Sequence, residues 1–504
     1  MLSRRALLAG GVSSLAAPAI LARAQNSTDS AGAAPTILRL ERRDIEVNGK
    51  TASVYAIRQP NGTFGVTTEV GKPFRVRVEN GIGEPSLIHW HGLTPPWRQD
   101  GVPGISGPPI PAGGSADYDF LLSFGGTFWM HSHQGLQEQG LMTAPLIIHD
   151  ERDRPDEQEV VVMLADFSFM PAEQIFENLK SSGSMAGMAK PVGGATASMS
   201  KMSDAKMGNM AKPTGSMTST SSMKMMAPMS AGQSGPDLND VKYDAFLANF
   251  RTLADPEIVK VEPDGRVLLR IINGSSMSAF HVGLGELDGE LIAVDGFEVE
   301  PIRGRKFPAA VAQRLDIRVR LPPGRGAYPV LAQLEGERSQ TGIILVAGGA
   351  PVTQIPDAAE APSPPLNLEL ERSLRAKKPL APRKADRVHA LNLTGEMAGY
   401  VWSLNNVVWN KDAPPLTVAE GERVELVFVN ETPMPHPMHL HGHEFQVVEI
   451  DGERFPGAVR DTILVTPGRR VVVAFDADNP GWWALHCHLL YHLEAGMFTT
   501  IRYV

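Results

Sequence analysis

The sequence predicts an all-β protein built from three β-sandwich domains with Greek-key connections. A strand-like run that ends at an Asn suited to a turn occurs three times, as FRVRVEN from Phe74, VLLRIIN from Val267 and VELVFVN from Val424. Turn-rich β segments follow each run, and hardly any stretch has convincing helical periodicity. The length of 504 residues exceeds one comfortable core and suits about three domains.

The closing halves of the three repeat copies also match, as GTFWMHSH, GAYPVLAQ and GWWALHCH in chain order. Counted from the leading Gly, His131 and His133 of the first copy fall where His486 and His488 fall in the third. The middle copy carries Leu and Gln at these two positions. The outer copies therefore hold paired imidazoles that the middle copy lacks.

We place the domains at residues 36–155, 156–349 and 388–504, with a linker rich in proline and charge at 350–387. Residues 181–236 interrupt the second domain and contain no aromatic side chain, which predicts a mobile loop. This Met-rich segment holds more than half of the 21 methionines, namely Met185, Met188, Met199, Met202, Met207, Met210, Met217, Met223, Met225, Met226 and Met229.

Residues 1–24 predict a signal peptide, because Arg4 and Arg5 precede an apolar stretch and residues 22–24 form an A-x-A cleavage pattern. The paired arginines resemble a twin-arginine signal, which indicates the twin-arginine export machinery as a partner and the periplasm as the location. An ordinary secretory signal is the alternative. No later segment approaches the roughly 18 apolar residues of a membrane span, so we expect none in the mature protein.

The charge pattern argues against nucleic acid as a partner, because the net charge is −9 and no long basic run occurs. We expect a monomer. An exported protein is free to use disulfides, yet this chain contains a single cysteine, Cys487. That lone thiol therefore calls for a chemical role.

Ten of the 14 histidines lie in four short clusters, each with an H-x-H pair. On a β-strand the side chains of residues i and i+2 point to the same face, so each pair directs two imidazoles into one space. An isolated pair is more often two surface histidines. Four pairs at equivalent positions of the repeat instead favour a site for several metal ions; they are His89 with His91, His131 with His133, His439 with His441, and His486 with His488.

The remaining candidate ligands indicate which metal it is. His436, Cys487, His492 and Met497 offer two imidazoles, a thiolate and a thioether, the set of a blue-copper electron-transfer site with a weak axial Met. Cys487 also lies between His486 and His488, so electrons have a short covalent path from this site to the paired histidines.

The motifs HWHG, HSH, HPMHLHGH and HCHLLYHLEAGM resemble the four copper motifs of the multicopper oxidase family, which includes laccases and periplasmic cuprous oxidases. The resemblance spans the mature chain and implies three cupredoxin-like domains and four copper ions. It also implies that a type 1 copper takes single electrons from a donor, and that a trinuclear cluster between the first and third domains reduces dioxygen to water. The ligands it implies are His436, Cys487, His492 and Met497 for type 1, His89 and His439 for type 2, and His91, His131, His133, His441, His486 and His488 for the type 3 pair.

Two acidic residues are candidates for the proton relay that this reaction needs. The family uses an acidic residue shortly after its first H-x-H, and Asp100 matches it; a turn residue before Gly101 is the alternative. Cuprous oxidases carry a Glu directly after the last ligand histidine, where this chain has Leu493. Glu494, one place further on, is the second candidate.

The axial Met predicts a donor that is easily oxidised, and thioethers are soft ligands suited to Cu(I). The Met-rich segment, together with Met434, which resembles a substrate-copper ligand of cuprous oxidases, therefore predicts a cuprous oxidase of copper tolerance. A low-complexity spacer is the alternative for the Met-rich segment, and apolar packing is the alternative for Met434 and Met438. Known cuprous oxidases carry their Met-rich segment later in the chain, which is a departure. A laccase acting on phenols or aromatic amines is the alternative function, and a non-enzymatic copper-binding protein is the third.

Overall fold

The computed structural model describes residues 34–185 and 238–504, and the all-β prediction is confirmed there. Strands β1 to β8 of the first copy are Thr36–Val47, Lys50–Arg58, Val66–Glu69, Pro73–Asn80, Ile88–His91, Ser115–Leu121, Gly126–Ser132 and Thr143–His149. They form two sheets, ordered β2-β1-β4-β6 and β3-β8-β7-β5. Apolar side chains on the facing sides of the two sheets form one core.

The second copy contains helix α1, Ala172–Met185, and strands β9 to β19. These strands are Glu157–Phe167, Ala245–Ala248, Glu257–Val261, Arg266–Asn273, Phe280–Gly283, Gly289–Val294, Phe297–Gly304, Lys306–Ala309, Arg314–Arg320, Gly326–Leu334 and Gln340–Ala347. They form one sheet ordered β10-β9-β12-β17-β14-β15 and a second ordered β11-β19-β18-β13-β16.

The third copy follows a short helix, α2 at Glu369–Ser373, and contains a second short helix, α3 at Leu490–Glu494. Its strands β20 to β31 are Arg387–Glu396, Val401–Leu404, Leu416–Val418, Arg423–Asn430, His436–Leu440, Phe445–Ile450, Glu453–Arg454, Val459–Arg460, Thr462–Val465, Arg470–Asp476, Trp482–Cys487 and Phe498–Tyr503. One sheet is ordered β21-β20-β23-β29-β25-β26, with β27 also paired to β25, and the other is ordered β22-β31-β30-β24-β28.

The strand register reproduces the internal repeat. In the first copy β5 pairs with β7 so that His89 lies opposite His131, and in the third copy β24 pairs with β30 so that His439 lies opposite His486. The corresponding pair in the second copy, β13 with β18, sets His281 opposite a glutamine. The three copies therefore share one architecture, and only the outer two place imidazoles on both of the paired strands.

Helix α1 corrects one expectation. Residues 181–185, predicted as the start of the mobile loop, form the last part of this helix. Earlier in the helix Ile175 and Leu179 lie one turn apart on one face, and both are buried in the core. Residues 186–237, with the other ten methionines of the Met-rich segment, lie outside the described residues. The predicted domain boundaries stay a prediction, although the predicted linker contains α2 and buries Leu366, Leu368 and Leu374.

In the described ranges, none of the helices combines the length and the apolar character needed to cross a bilayer.

Candidate metal centre

The four H-x-H strands bring eight imidazoles into one space between the first and third copies. We call these residues the histidine cluster: His89, His91, His131, His133, His439, His441, His486 and His488. All of them are buried except His133, which is partly buried. Strand β5 contains both of its histidines, at i and i+2 on one face, whereas in the other three pairs the first histidine lies on a strand and the second directly follows the end of that strand.

Six of these histidines divide into two groups of three. The ligand-capable nitrogens of His91, His131 and His488 lie within 4.8 Å of one another. Those of a second trio, His133 with His441 and His486, meet the same limit. The remaining two, His89 and His439, bring their Nε2 atoms to 3.4 Å. The ligand-capable nitrogens of His89, His91 and His439 also lie within 4.8 Å of one another, so the assignment of these histidines to a type 2 site and a type 3 pair stays a prediction.

The unpaired nitrogens of the first trio fit metal ions. His91 Nδ1, His131 Nε2 and His488 Nε2 are buried and have no hydrogen-bond partner in residues 34–185 and 238–504. A buried polar atom without a partner is costly, and these three atoms share one small space. Imidazole nitrogens suit copper, so the residues present fit the ions that the sequence predicts.

Two aspartates orient histidines of the cluster in the same way, each through its carboxylate and its backbone carbonyl. Asp100 accepts a hydrogen bond at its carboxylate from His441 Nδ1, at 2.8 Å, and at its backbone carbonyl from His89 Nδ1, at 2.9 Å. Asp461 accepts at its carboxylate from His91 Nε2, at 3.0 Å, and at its carbonyl from His439 Nδ1, at 2.8 Å. Each aspartate thus fixes one predicted type 2 ligand and one predicted type 3 ligand.

Asp461 was not predicted from the sequence, although the repeat gives a signal. In both outer copies the opening H-x-H is followed by an aspartate that returns to the same histidines, and only Asp100 was identified. Arg314 of the second copy pairs with the Asp461 carboxylate through two guanidinium nitrogens, with Nη1 at 2.9 Å from Oδ1. All three copies therefore meet at this point.

Burial lowers the pKa of seven of the clustered imidazoles and so favours their neutral form; they are His91, His131, His133, His439, His441, His486 and His488. Loss of solvent, reinforced by the neighbouring rings, lowers the pKa of His133 to about 4 and that of His488 to about 3. The same causes hold the pKa values of His91, His131 and His439 well below the usual range. Neutral rings carry the free lone pairs that a metal ion requires.

The predicted type 1 ligands also come together, with His436 at the start of β24, Cys487 at the end of β30, His492 on α3 and Met497 just before β31. Cys487 Sγ lies 3.6 Å from His436 Nδ1 and 3.9 Å from His492 Nδ1, and the two Nδ1 atoms are 3.2 Å apart. Met497 is fully buried in the same apolar cluster, and its carbonyl accepts a hydrogen bond from Cys487 N. Burial raises the pKa of the Cys487 thiol, so a metal ion is needed to stabilise the thiolate.

The Nε2 atoms of His436 and His492, two of the predicted type 1 ligands, each contact an oxygen atom. His436 Nε2 lies 2.7 Å from Thr432 Oγ1, and His492 Nε2 donates to Asp240 Oδ2 at 3.0 Å. Tyr400 donates its hydroxyl to the same carboxylate oxygen at 2.6 Å. These contacts leave both Nδ1 atoms free to face the Cys487 sulfur.

Asp240 contacts the predicted type 1 ligand His492, and it is the residue of the candidate site for which the sequence gives the least indication. It lies far along the chain from every histidine motif, and no pattern near it points to metal chemistry. Its side chain is fully buried, and within the part of the chain that the structure describes its second oxygen, Oδ1, has no hydrogen-bond partner.

The two candidate proton-relay residues lie in different surroundings. Asp100 is buried within the histidine cluster, whereas Glu494 is exposed at the end of α3 and bonds to no clustered histidine in the described residues. A third carboxyl, Glu138, is buried and lies 2.7 Å from His131 Nδ1. Burial, with a smaller effect of Asp166, raises the pKa of Glu138 well above its usual range.

The other sequence-predicted residues lie as follows. Met434 and Met438 are buried in the apolar cluster that also contains Cys487. The histidines without a predicted ligand role bond elsewhere: His149 to Glu159, His281 to Pro364, His389 to Thr417 and His443 to Tyr503.

Comparison with known proteins agrees with this geometry. Sequence profiles described as multicopper oxidase match residues 40–153, 159–350 and 382–504. Multicopper oxidase MmcO of Mycobacterium tuberculosis is 29% identical, with all of this chain and 97% of that protein covered. Copper resistance protein A of Escherichia coli is 27% identical over 86% of each chain, and Laccase-1 of Cryptococcus neoformans var. grubii is 25% identical over 90% of this chain and 77% of that protein.

Solved structures agree on the fold. Fet3p, described as a multicopper oxidase that functions in iron import, superimposes with a TM-score of 0.72 at 20% identity, covering 93% of this chain and 90% of Fet3p. The laccase from Botrytis aclada gives 0.70 at 20% identity, covering 93% and 88%. The chain belongs to the multicopper oxidase family and is a copper-dependent oxidoreductase that binds four copper ions and uses dioxygen as its electron acceptor.

Proposed function

We propose that this oxidase acts on Cu(I) in the periplasm and protects the cell from copper. In the overall reaction four Cu(I) ions become Cu(II), while one dioxygen takes up four electrons and four protons and leaves as two waters. The observation that carries the proposal is a small cavity beside the predicted type 1 ligands, which are His436, Cys487, His492 and Met497. Its wall contains two thioethers, the soft donors that select Cu(I), and the carboxylate of Asp240.

The cavity encloses about 20 Å³, enough for one small ion or water. Met277 and Met434 line it together with Asp240 and Glu335. Both sulfur-bearing side chains are buried, and Asp240 Oδ1 lacks a hydrogen-bond partner among the described residues. These features support a site that takes a partly desolvated cation, since the unpaired oxygen needs a positive partner.

Asp240 joins the cavity to the electron acceptor. One carboxylate lines the cavity and accepts a hydrogen bond from His492 Nε2 at 3.0 Å. An electron that leaves an ion in the cavity therefore has a short bonded route to a predicted ligand of the type 1 copper. We propose His436, Cys487, His492 and Met497 as the ligands there, and the histidine cluster as the ligands of the other three ions.

The residues that precede segment 186–237 and those that follow it both lie near the predicted type 1 ligands. On one side α1 stacks Phe176 on Tyr491, the neighbour of His492, at 6.0 Å between ring centroids. On the other side Leu238 lines the cavity. This placement supports a role for the Met-rich segment in supplying Cu(I), and deletion of residues 186–229 tests it.

Proton supply and location complete the proposal. We assign proton delivery to Asp100, because its carboxylate contacts a predicted type 3 ligand; Glu494 stays a prediction as a second relay. We propose export through the twin-arginine machinery, as a monomer, from the sequence of residues 1–24, which lie outside the described residues.

Met277→Leu tests the function, because it removes one thioether from the cavity and leaves every proposed copper ligand in place. We expect the KM for Cu(I) to rise about 10-fold, the loss of roughly 1.4 kcal/mol of binding, while turnover of a phenol is unchanged. Oxygen uptake with each donor measures both.

Met170→Leu is the matched control, because Met170 is 43% exposed and does not line the cavity. Equal loss of Cu(I) and phenol oxidation in Met277→Leu would contradict the proposal. Oxygen uptake that occurs only with phenols would make the protein a laccase.

A further inference from the structure

A buried turn that follows the second H-x-H connects the histidine cluster to the rest of the molecule. Its three residues, Gln137, Glu138 and Gln139, are each less than 10% exposed. Three consecutive buried polar side chains are unusual, because burial of a polar group costs free energy unless it is hydrogen-bonded. The contacts of each side chain therefore need an account.

Glu138 contacts His131. Its Oε2 lies 2.7 Å from His131 Nδ1, and the carbonyl of Ser132 lies 3.2 Å from the same nitrogen. A carbonyl oxygen can only accept, so Nδ1 must carry the hydrogen and donate it. The other nitrogen, Nε2, then keeps its lone pair, and it is one of the three unpaired atoms that face the predicted copper position.

The faces of the His131 ring are constrained as well. Trp129 stacks on it at 4.3 Å between ring centroids, with 19° between the planes. The stacking fixes the plane of the ring but still allows a flip about the Cβ–Cγ bond, which exchanges Nδ1 with Cδ2 and Nε2 with Cε1. The contacts of Nδ1 with the Glu138 carboxylate and the Ser132 carbonyl select the direction in which Nε2 points.

Gln137 and Gln139, which precede and follow Glu138 in the chain, are each anchored by hydrogen bonds. Gln137 accepts hydrogen bonds from Ser86 and Ser132, at 2.8 and 2.7 Å. Gln139 accepts from Tyr243 of the second copy at 2.7 Å, and from Tyr491 of the third copy at 3.2 Å. The turn therefore anchors Glu138 to all three copies, and no other role for a buried glutamate at this point is evident among the described residues.

We propose that Glu138 is a positioning residue of the trinuclear cluster, which holds His131 in the tautomer and orientation that present Nε2 to copper. The inference rests on the assignment of His131 as a copper ligand. It does not depend on whether Cu(I) or a phenol is the donor, so it can fail while the proposed function stands.

Glu138→Met tests the inference, because it keeps the side-chain volume and removes only the acceptor. We expect the chelator concentration that strips copper from the histidine cluster to fall about 10- to 100-fold, as is typical when a partner of a metal-binding histidine is lost. The blue thiolate-to-copper absorption should persist and report an intact fold. Glu138→Gln should keep the parent value, because its amide oxygen can still accept from Nδ1.

Copper analysis of the full-length, copper-loaded chain during chelator titration gives the result. Glu157→Met is the matched control, because Glu157 has a side chain only 3% exposed, pairs with Arg318 and contacts no histidine in the described ranges. The proposal is overturned if Glu138→Met retains copper as the parent does, or if Glu138→Gln loses it as readily as Glu138→Met.

Discussion

At the scale of single residues, three buried aspartates hold predicted copper ligands in place. Asp100 and Asp461 each bond one histidine through the carboxylate and another through the backbone carbonyl. Asp240 does the corresponding work for His492. These carboxylates fix which ring nitrogen carries a hydrogen, and so they determine where the free lone pairs point.

Glu335 makes a residue-scale prediction on pH. Burial raises its pKa from 4.5 to about 7 in the folded protein. The carboxyl is therefore protonated in the folded state while it ionises in the unfolded chain, so the parent protein loses stability as the pH rises from about 4.5 to about 7. Glu335→Gln removes this loss.

We expect the stability of Glu335→Gln relative to the parent to increase by up to roughly 3 kcal/mol between pH 4.5 and pH 8. Denaturant unfolding of the copper-free proteins at both values measures the difference. Glu290→Gln, which removes a carboxylate whose side chain is 40% exposed, is the matched control for the substitution. A relative stability that stays constant or falls with rising pH would refute the account of Glu335.

At the scale of elements, the turn after the first H-x-H presses against the strand that carries it. Gly101 has φ +88, and a Cβ there would lie 1.8 Å from the carbonyl oxygen of Ile88 on β5. Only glycine therefore allows the turn to bring Asp100 against His89.

Gly101→Ala should displace this turn from β5. We expect a loss of at least about 1 to 3 kcal/mol of stability and a selective loss of the type 2 copper, because both contacts of Asp100 to the cluster are disturbed. Electron paramagnetic resonance and thermal unfolding report the two effects. Gly104→Ala is a useful comparison, since Gly104 also has a positive φ but nothing within 4 Å of the added atom. Equal copper content in the two variants would contradict this reading.

The elements also show what could be predicted from the sequence. The pairing of His89 with His131, and of His439 with His486, follows from an internal repeat that is visible in the letters alone. Asp240 could not be predicted, because its contact with His492 spans 252 positions and depends on how the second copy packs on the third. The helical start of the Met-rich segment was missed because its composition resembles that of a loop.

At the scale of the whole molecule, copper joins parts of the chain that are distant in sequence. The histidine cluster takes four predicted ligands from the first copy and four from the third, and Arg314 of the second copy pairs with Asp461. Ions bound there stabilise the association of the copies as well as the site itself.

Copper removal should therefore lower the thermal unfolding temperature of the whole chain. We also expect a broader transition in the copper-free protein, because the outer copies lose the ions they share. Differential scanning calorimetry of the loaded and stripped protein measures both, with reloading as the control for irreversible damage. Identical transitions with and without copper would show that the cluster does not hold the copies together.

The central claim is that this oxidase takes its electrons from Cu(I), and oxygen uptake by the copper-loaded protein tests it most directly. Cu(I) and a phenol are supplied in parallel, and the blue absorption verifies loading. We predict uptake that strongly favours Cu(I), with one dioxygen consumed for every four Cu(I) oxidised and no peroxide released. A blue, fully loaded protein that consumes oxygen with phenols alone would contradict the claim.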